Sequence, residues 1–461
     1  MRRGAGTPAH ERKLLEGRRS AMLRRRTFLT GSSSLLAAPA AIRRTRADPV
    51  FDWQQCKGQS IVIAMSKNPR ADVMQQHQKE FEALTGIKVE SEQMPEQQQR
   101  QKMVLELSTG RPSFDVAHVS LHVSKRIIGQ GKWLADLRPY LANPQLTSPD
   151  FDFADFSKPS IEAATQPDGV LDSVPLESDF WLVYYNKELL AKKAVKVPET
   201  FEDMLAGART LTDKASGTYG FVGRGLRNAN VPVWSNFVLG EDQAFVTPDG
   251  KTLLTDTPGA IAAAQTYQAI MRDCAPPGVV GFNWNECQTS FMQGKIGMWM
   301  DGVGFTPPLV DPKKSKIADH VGFAVMPAGP EAHACSVFTD ALGVVSKSKN
   351  KDAAYLYIQW ATGKQMLLNL VRAGGGASPR LSTYADPELL KDSPFGREWL
   401  ATLLASAKMA RPGLPEIVPV TEFRDVFGVA LTNMIGGADP AVELRKATDA
   451  FKPVLEKSLQ G

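Results

Sequence analysis

Short apolar runs of strand length alternate with helix-period segments along most of this chain, and that alternation restricts it to the α/β class. Gly58 to Met65 reads GQSIVIAM, a buried strand, and Ser66-Lys67-Asn68-Pro69 breaks it. Asp72 to Leu84 has helical spacing, with Val73, Phe81 and Leu84 on one side. Thr85-Gly86 ends that helix, and Ile87-Lys88-Val89-Glu90 alternates as a second strand. Gln97 to Ser108 is a further helix and Phe114 to Val119 a third strand. This is a βαβ opening. In open α/β sheets ligands sit beyond the carboxyl ends of strands, which points at Ser66–Asn68 and at Ser120–His122.

The alternation resumes after Pro175. Strands are expected at Leu182–Tyr185, Tyr219–Phe221, Ile296–Met300, Val321–Val325 and Leu342–Val345. Helices are expected from Asn186 to Ala191, Phe201 to Leu211, Thr257 to Asp273, Asn285 to Gly294 and Lys351 to Thr362. From Pro387 on the pattern is mostly helical. Neither a repeat nor a linker marks a domain boundary.

The N-terminus reads as an export signal. Arg24-Arg25-Arg26-Thr27-Phe28-Leu29 precedes a short, weakly apolar run from Gly31 to Ile42, then Arg43-Arg44-Thr45-Arg46-Ala47. A basic head, a short apolar stretch and a small-residue end make a cleavable signal peptide. The run is shorter than the roughly 20 residues a membrane span needs. Arg25-Arg26-x-Phe28-Leu29 resembles the twin-arginine type, so residues 1–47 are expected to be removed on export. These residues hold 12 of the 54 Arg and Lys and 2 of the 49 Asp and Glu. The remaining 42 basic and 47 acidic residues give a net charge of −5, with no basic surface that would suggest nucleic acid.

Four cysteines follow the signal. Cys274 and Cys287 bracket a short loop and are the candidate disulfide pair in an oxidising compartment, with free buried thiols as the alternative. The cysteine spacings match no zinc site, and His118 and His122, the histidines four apart, straddle a strand end and so form no ligand pair on one helix. Nucleophile-elbow and P-loop motifs are absent from the sequence. An enzymatic reading therefore rests on paired carboxylates alone, Glu177 with Asp301, as in a glycoside hydrolase.

Several blocks resemble, in order, the sugar-binding branch of the solute-binding proteins of bacterial ABC importers. They are TGIKVE, FDVAHVS with GKWLADLRPY, VYYNKELL, FMQGKIGMWMDG, ALGVVSKSKNKDAAYLYIQWATG and ASPRLSTYADPEL. The resemblance covers about residues 58–461. It implies a two-lobed periplasmic-binding-protein fold, each lobe a sheet flanked by helices, joined by two or three hinge crossings. The N-terminal lobe would comprise 58–174 plus 340–374 and the C-terminal lobe 178–338 plus 379–461. It also implies a periplasmic monomer that needs no cofactor, does no chemistry, and delivers a sugar or polyol to ABC permease subunits.

A polyhydroxylated ligand needs carboxylates and amides for its hydroxyls and aromatic rings for its C–H faces. The family places an acidic contact at the position of Asp179, which Phe180 and Trp181 flank. Glu177 alternates with it on the same side. Asp301 and Gly302 form the turn after FMQGKIGMWM, another family contact, with Trp299 just before it. Asp340 lies at the expected hinge. His122, Ser120 and Asn68 lie beyond strand ends, Trp234 and Trp284 are second-lobe aromatics that could cap a ligand, and Arg380 could pair an acidic ligand or brace the hinge. A neutral sugar or polyol ranks first, with an anionic sugar derivative second.

Overall fold

The computed structural model describes residues 50–460, and the export signal expected at residues 1–47 lies outside them. Nine strands form the framework: β1 (Ser60–Ser66), β2 (Lys88–Met94), β3 (Val116–Ser120), β4 (Val174–Asn186), β5 (Tyr219–Val222), β6 (Ile296–Gly302), β7 (Val321–Val325), β8 (Cys335–Val344) and β9 (Ala410–Pro412). Their order is β2-β1-β3-β8-β4-β6-β5, with β7 also on β4 and β9 on β8. The parallel β2-β1-β3 part is the βαβ opening expected from the sequence.

Two strands are much longer than their apolar runs suggested. β4 extends back to Val174 and β8 back to Cys335. Both traverse two separate hydrophobic cores. Buried residues from 56–176 and 341–370 form one core. Those from 181–338 and 371–455, joined by Val123, form the other. Along β4 the core changes between Leu176 and Trp181, and along β8 between Phe338 and Ala341. Over that step the two strands pair with each other, Glu177 opposite Asp340 and Asp179 opposite Phe338. A register shift lies between Pro175 and Glu177, where proline has no amide to give the ladder. A third segment bridges beside them, Ser178 exchanging both backbone hydrogen bonds with Ala377.

Three helices of the first lobe matter below: α1 (Pro69–Thr85), α2 (Glu96–Thr109) and α3 (Leu121–Gly131). Asn68 caps α1, accepting from the Ala71 amide at 2.9 Å, and Pro69 occupies its first turn. Gly86 ends it in the left-handed conformation that glycine tolerates. In the second lobe the Asn186 side chain accepts from the Glu188 and Leu189 amides, so the YNKELL block is a strand end that caps the next helix. Among the described residues no helix is long and apolar enough to cross a membrane.

The disulfide expectation is corrected. All four cysteines are free and buried. The Cys274 thiol faces the Thr212 hydroxyl, whereas Cys287 lies near Asp301 and Arg224, so their helices turn them into different parts of the core. Burial pushes Cys274 up to about 11 and Cys335 to about 12, which keeps both as inert thiols. Titration of the denatured, unreduced protein with a thiol reagent should therefore count four thiols per chain, and the native protein close to none. A count of two after denaturation would restore the disulfide.

Candidate functional site

Strand carboxyl ends from both lobes converge on one cavity of about 760 Å³ between the two cores. Lys67 and Asn68 follow β1, Glu96 follows β2, and Ser120 closes β3. Arg224 follows β5, and Gly304 with Phe305 follows β6. The amino ends of α1 and α2 border the same space, so their dipoles add positive potential there. The strand-end rule applied to the sequence found the β1 and β3 corners of this site.

Pleating of the β4–β8 ribbon decides which of its side chains look inward. Asp179 and Trp181 on β4 and Phe338 and Asp340 on β8 line the cavity. Their neighbours Ser178, Phe180, Val337 and Thr339 point the opposite way and line a second cavity of about 450 Å³ behind the ribbon. Asp179 is the focus of the front face. Its Oδ1 accepts the Gly304 amide at 3.0 Å, and its Oδ2 accepts no hydrogen bond among the described residues. Burial pushes its carboxyl up to about 6, against the pull of Arg70 and the Gly304 amide. Gly302 is needed for this placement, because a Cβ there would collide with the Asp179 carboxylate.

The walls are aromatic. Trp284 and Phe305 stack at 5.0 Å between ring centroids, and Trp181 meets Phe338 edge-on at 5.7 Å. Arg224 lies over both Trp181 and Phe305, at 5.1 and 5.4 Å from their centroids. Its Nε donates to Asp301 Oδ2 at 2.9 Å and its Nη2 to Asp301 Oδ1. Burial opposes the charge on Arg224, but Asp301 outweighs it and holds the guanidinium more firmly protonated than usual.

A buried ionic network closes the ribbon end. Arg70 pairs with Glu177 and, at 2.8 Å, with Asp340. His118 Nε2 stands 3.3 Å from the same Asp340 oxygen. Burial works against the Asp340 charge, yet His118 and Arg70 hold its carboxyl well below the usual range. Glu177 goes the other way, raised by burial more than Arg70 lowers it. His122 is pushed down to about 3 by burial and by Arg100. It is therefore neutral, with Nε2 facing Arg100 Nη2 at 3.4 Å.

Of the residues singled out from sequence, Asn68, Ser120, His122, Asp179, Trp181, Trp284 and Asp340 line the cavity. Others are displaced by one layer. Asp301 is fully buried, and its oxygens are taken by Arg224 and the Gly302 amide, so it orients Arg224 from behind. Glu177 likewise serves Arg70. Trp299 is buried beneath the wall, stacked on Tyr184 at 4.9 Å. Trp234 belongs to the second core, between Phe245 and Phe427, because all of its helix Val231–Gly240 is buried. Arg380 is the brace. It donates to the Thr362, Phe151 and Asp152 carbonyls at 2.7, 2.7 and 2.9 Å and to Asp155, and it is fully buried away from the cavity between the lobes.

Sequence reasoning missed the arginines Arg70, Arg100, Arg224 and Arg424, with Glu96, Phe305 and Phe338. The strand-end rule could have found Glu96 and Arg224. Nothing local marks Arg424, which arrives on the distant helix Val420–Ile435.

The profile of the bacterial extracellular solute-binding proteins matches residues 67–366. The chain belongs to that family. Among its relatives are an erythritol/L-threitol-binding protein of Mycolicibacterium smegmatis, 27% identical over 86% of each chain. Another is a probable amino-acid ABC transporter periplasmic-binding protein of Sinorhizobium fredii, 26% identical over 81% of this chain and 85% of that one. A solved ABC transporter solute-binding protein of Agrobacterium vitis with bound D-mannitol superposes with a TM-score of 0.75. It is 26% identical and covers 87% of this chain and 99% of its own. The two-lobed α/β architecture expected from the sequence is the fold of this solute-binding protein and of these neighbours.

Proposed function

We propose that this solute-binding protein is the receptor of an ABC importer for a small polyol, and that it works in the periplasm after export. The observation that carries the reading is the Asp179 carboxylate, with one free oxygen, set among Trp181, Phe338 and the Trp284–Phe305 stack. A chain of hydroxyls offers donors to that oxygen and C–H faces to the rings. The names of the Mycolicibacterium relative and the Agrobacterium structure, with their tetritol and mannitol ligands, support it. An amino acid is the second reading, favoured by the Sinorhizobium relative.

The segments that cross between the cores, β4, β8 and the stretch about Gly374 to Pro379, serve as the hinge. A ligand touching both lobes makes its full set of contacts only when they close, so binding shifts the population toward the closed form. That form docks on permease subunits and hands over its ligand unchanged. A monomer suffices for this cycle, and no cofactor takes part.

The test is a thermal-shift and calorimetry panel of tetritols, pentitols, hexitols, hexoses, disaccharides and amino acids on the purified protein. A bound ligand raises the melting midpoint by mass action. A rise confined to polyols is expected. A rise confined to amino acids, or hydrolysis of glycosides, would overturn the reading.

Binding should also depend on pH with a definite sign. The folded-state carboxyl of Asp179 titrates near 6 rather than 3.8. Its burial therefore costs folding stability as pH rises through that window. Polyol binding runs the opposite way, because only the carboxylate accepts two hydroxyls. Affinity should be flat above neutrality and fall by about tenfold per pH unit below about 6. Asp179→Asn should flatten the profile, and a wild-type affinity that is constant down to pH 4.5 would remove Asp179 from the contact set.

A further inference from the structure

The ionic groups around the cavity form two clusters that meet where Asp179 and Arg224 come within reach of each other. Near Asp179 stand Glu177 and Asp340, three carboxylates against the single Arg70. The second cluster gathers Arg100, Arg224 and Arg424 with Glu96 and Asp301. Arg100 pairs with Glu96, and Arg224 with Asp301. Arg424 has no carboxylate partner among the described residues. Its Nε donates to the Asn228 carbonyl at 3.2 Å, and the adjacent Asp425 is held instead by Asn228 and Arg227. Arg424 lines the cavity nonetheless. Burial and the neighbouring Arg100 lower it to about 10, so it remains a cation at neutral pH, with Glu96 and Asp425 acting on it only from a distance. Arg100 adds a second unmet donor, since its Nε is buried with no acceptor.

A neutral polyol would leave these donors to hydroxyls and water, and the guanidinium of Arg424 would keep no directly paired carboxylate. A guanidinium beside a second arginine suits the planar, two-oxygen geometry of a carboxylate. We infer that the ligand is a polyol chain ending in a carboxylate, an aldonate, with its hydroxyls at Asp179 and its acid group at Arg424 and Arg100. This rests on the polyol reading of the same cavity and narrows it to one charged end. The amino end of α2, at Glu96, favours the same sign of charge.

Titration calorimetry of matched pairs, threonate with threitol and gluconate with glucitol, tests it on the purified protein. The better aldonate should bind at least about tenfold tighter than its alditol, and the ratio should shrink as salt rises. Arg424→Gln should bring the ratio down to about one. A ligand-free readout accompanies this: removing a cation that has no directly paired carboxylate should leave the melting midpoint of the unliganded protein unchanged or higher, and a clear fall would mark Arg424 as a structural residue instead. Alditols binding as tightly as aldonates, or a preference that survives Arg424→Gln, would overturn the inference while leaving the polyol reading intact. Binding in neither series would overturn both.

Discussion

Asp179→Ala should weaken polyol binding by roughly 100-fold or more, while the variant stays folded. The carboxylate faces the cavity with Oδ2, which accepts no hydrogen bond among the described residues, while Oδ1 takes the Gly304 amide. Two charge-assisted hydrogen bonds from ligand hydroxyls would converge on it in a water-poor setting, where each is stronger than in bulk solvent. Folding should not suffer, because Asp179 is a buried carboxyl whose ionisation the fold already resists. Truncation leaves the Gly304 amide without its acceptor, a smaller loss that water entering the cavity can offset. Calorimetry of the ligand found in the panel measures the effect. A change below about threefold would mean that the ligand sits elsewhere along the cavity, since a single lost charge-assisted hydrogen bond already exceeds that.

Arg70→Met is expected to cost the fold about 3–5 kcal/mol, read as a lower urea midpoint. Arg70 joins the first core to the ribbon, with Glu177 and Asp340 as partners on the two hinge strands. The side chains of Glu177 and Asp340 are only 3% and 9% exposed, so they cannot recover hydration when the guanidinium goes. The loss comes chiefly from the carboxylates left behind, and adding Glu177→Gln should restore part of it. A midpoint that is unchanged in Arg70→Met, with the far-ultraviolet spectrum intact, would show that water already reaches the pair. The same substitution should lower ligand affinity, because Arg70 borders the cavity and its partners fix the ribbon beneath Asp179.

The strands and helices that were legible in advance are those whose apolar period reports a single environment. The helix Phe201–Leu211 and the strand Val321–Val325 lie wholly within one lobe and match their patterns residue for residue. β4 and β8 do not. Their outer halves, Val174–Trp181 and Cys335–Ala341, carry Glu177, Asp179 and Asp340 inside the ladder. Charged residues at strand positions read as loop, and here they are strand because a hinge passes between two cores and borders a cavity. The site residues divide for the same reason. Asp179 and Trp181 were found because the family block and the alternation agree on one face. Asp301 and Trp299 were placed a layer too far forward, and of the two roles open to Arg380 the fold takes the brace. Whether a carboxylate meets a ligand or an arginine depends on a residue 77 positions away, as Arg224 is from Asp301.

The sequence by itself determined the α/β class, the order of the elements, the corners at Asn68 and Ser120, and the family. These follow from local periodicity and from motifs whose residues are neighbours in the chain. Tertiary structure alone decided which side chains are bound up with one another and which are free. Arg70, Arg224 and Arg424 are alike in sequence, yet two are paired with carboxylates and Arg424 is not. Coulomb energy in a buried cavity depends on distances between residues hundreds of positions apart, and only the folded chain sets those distances.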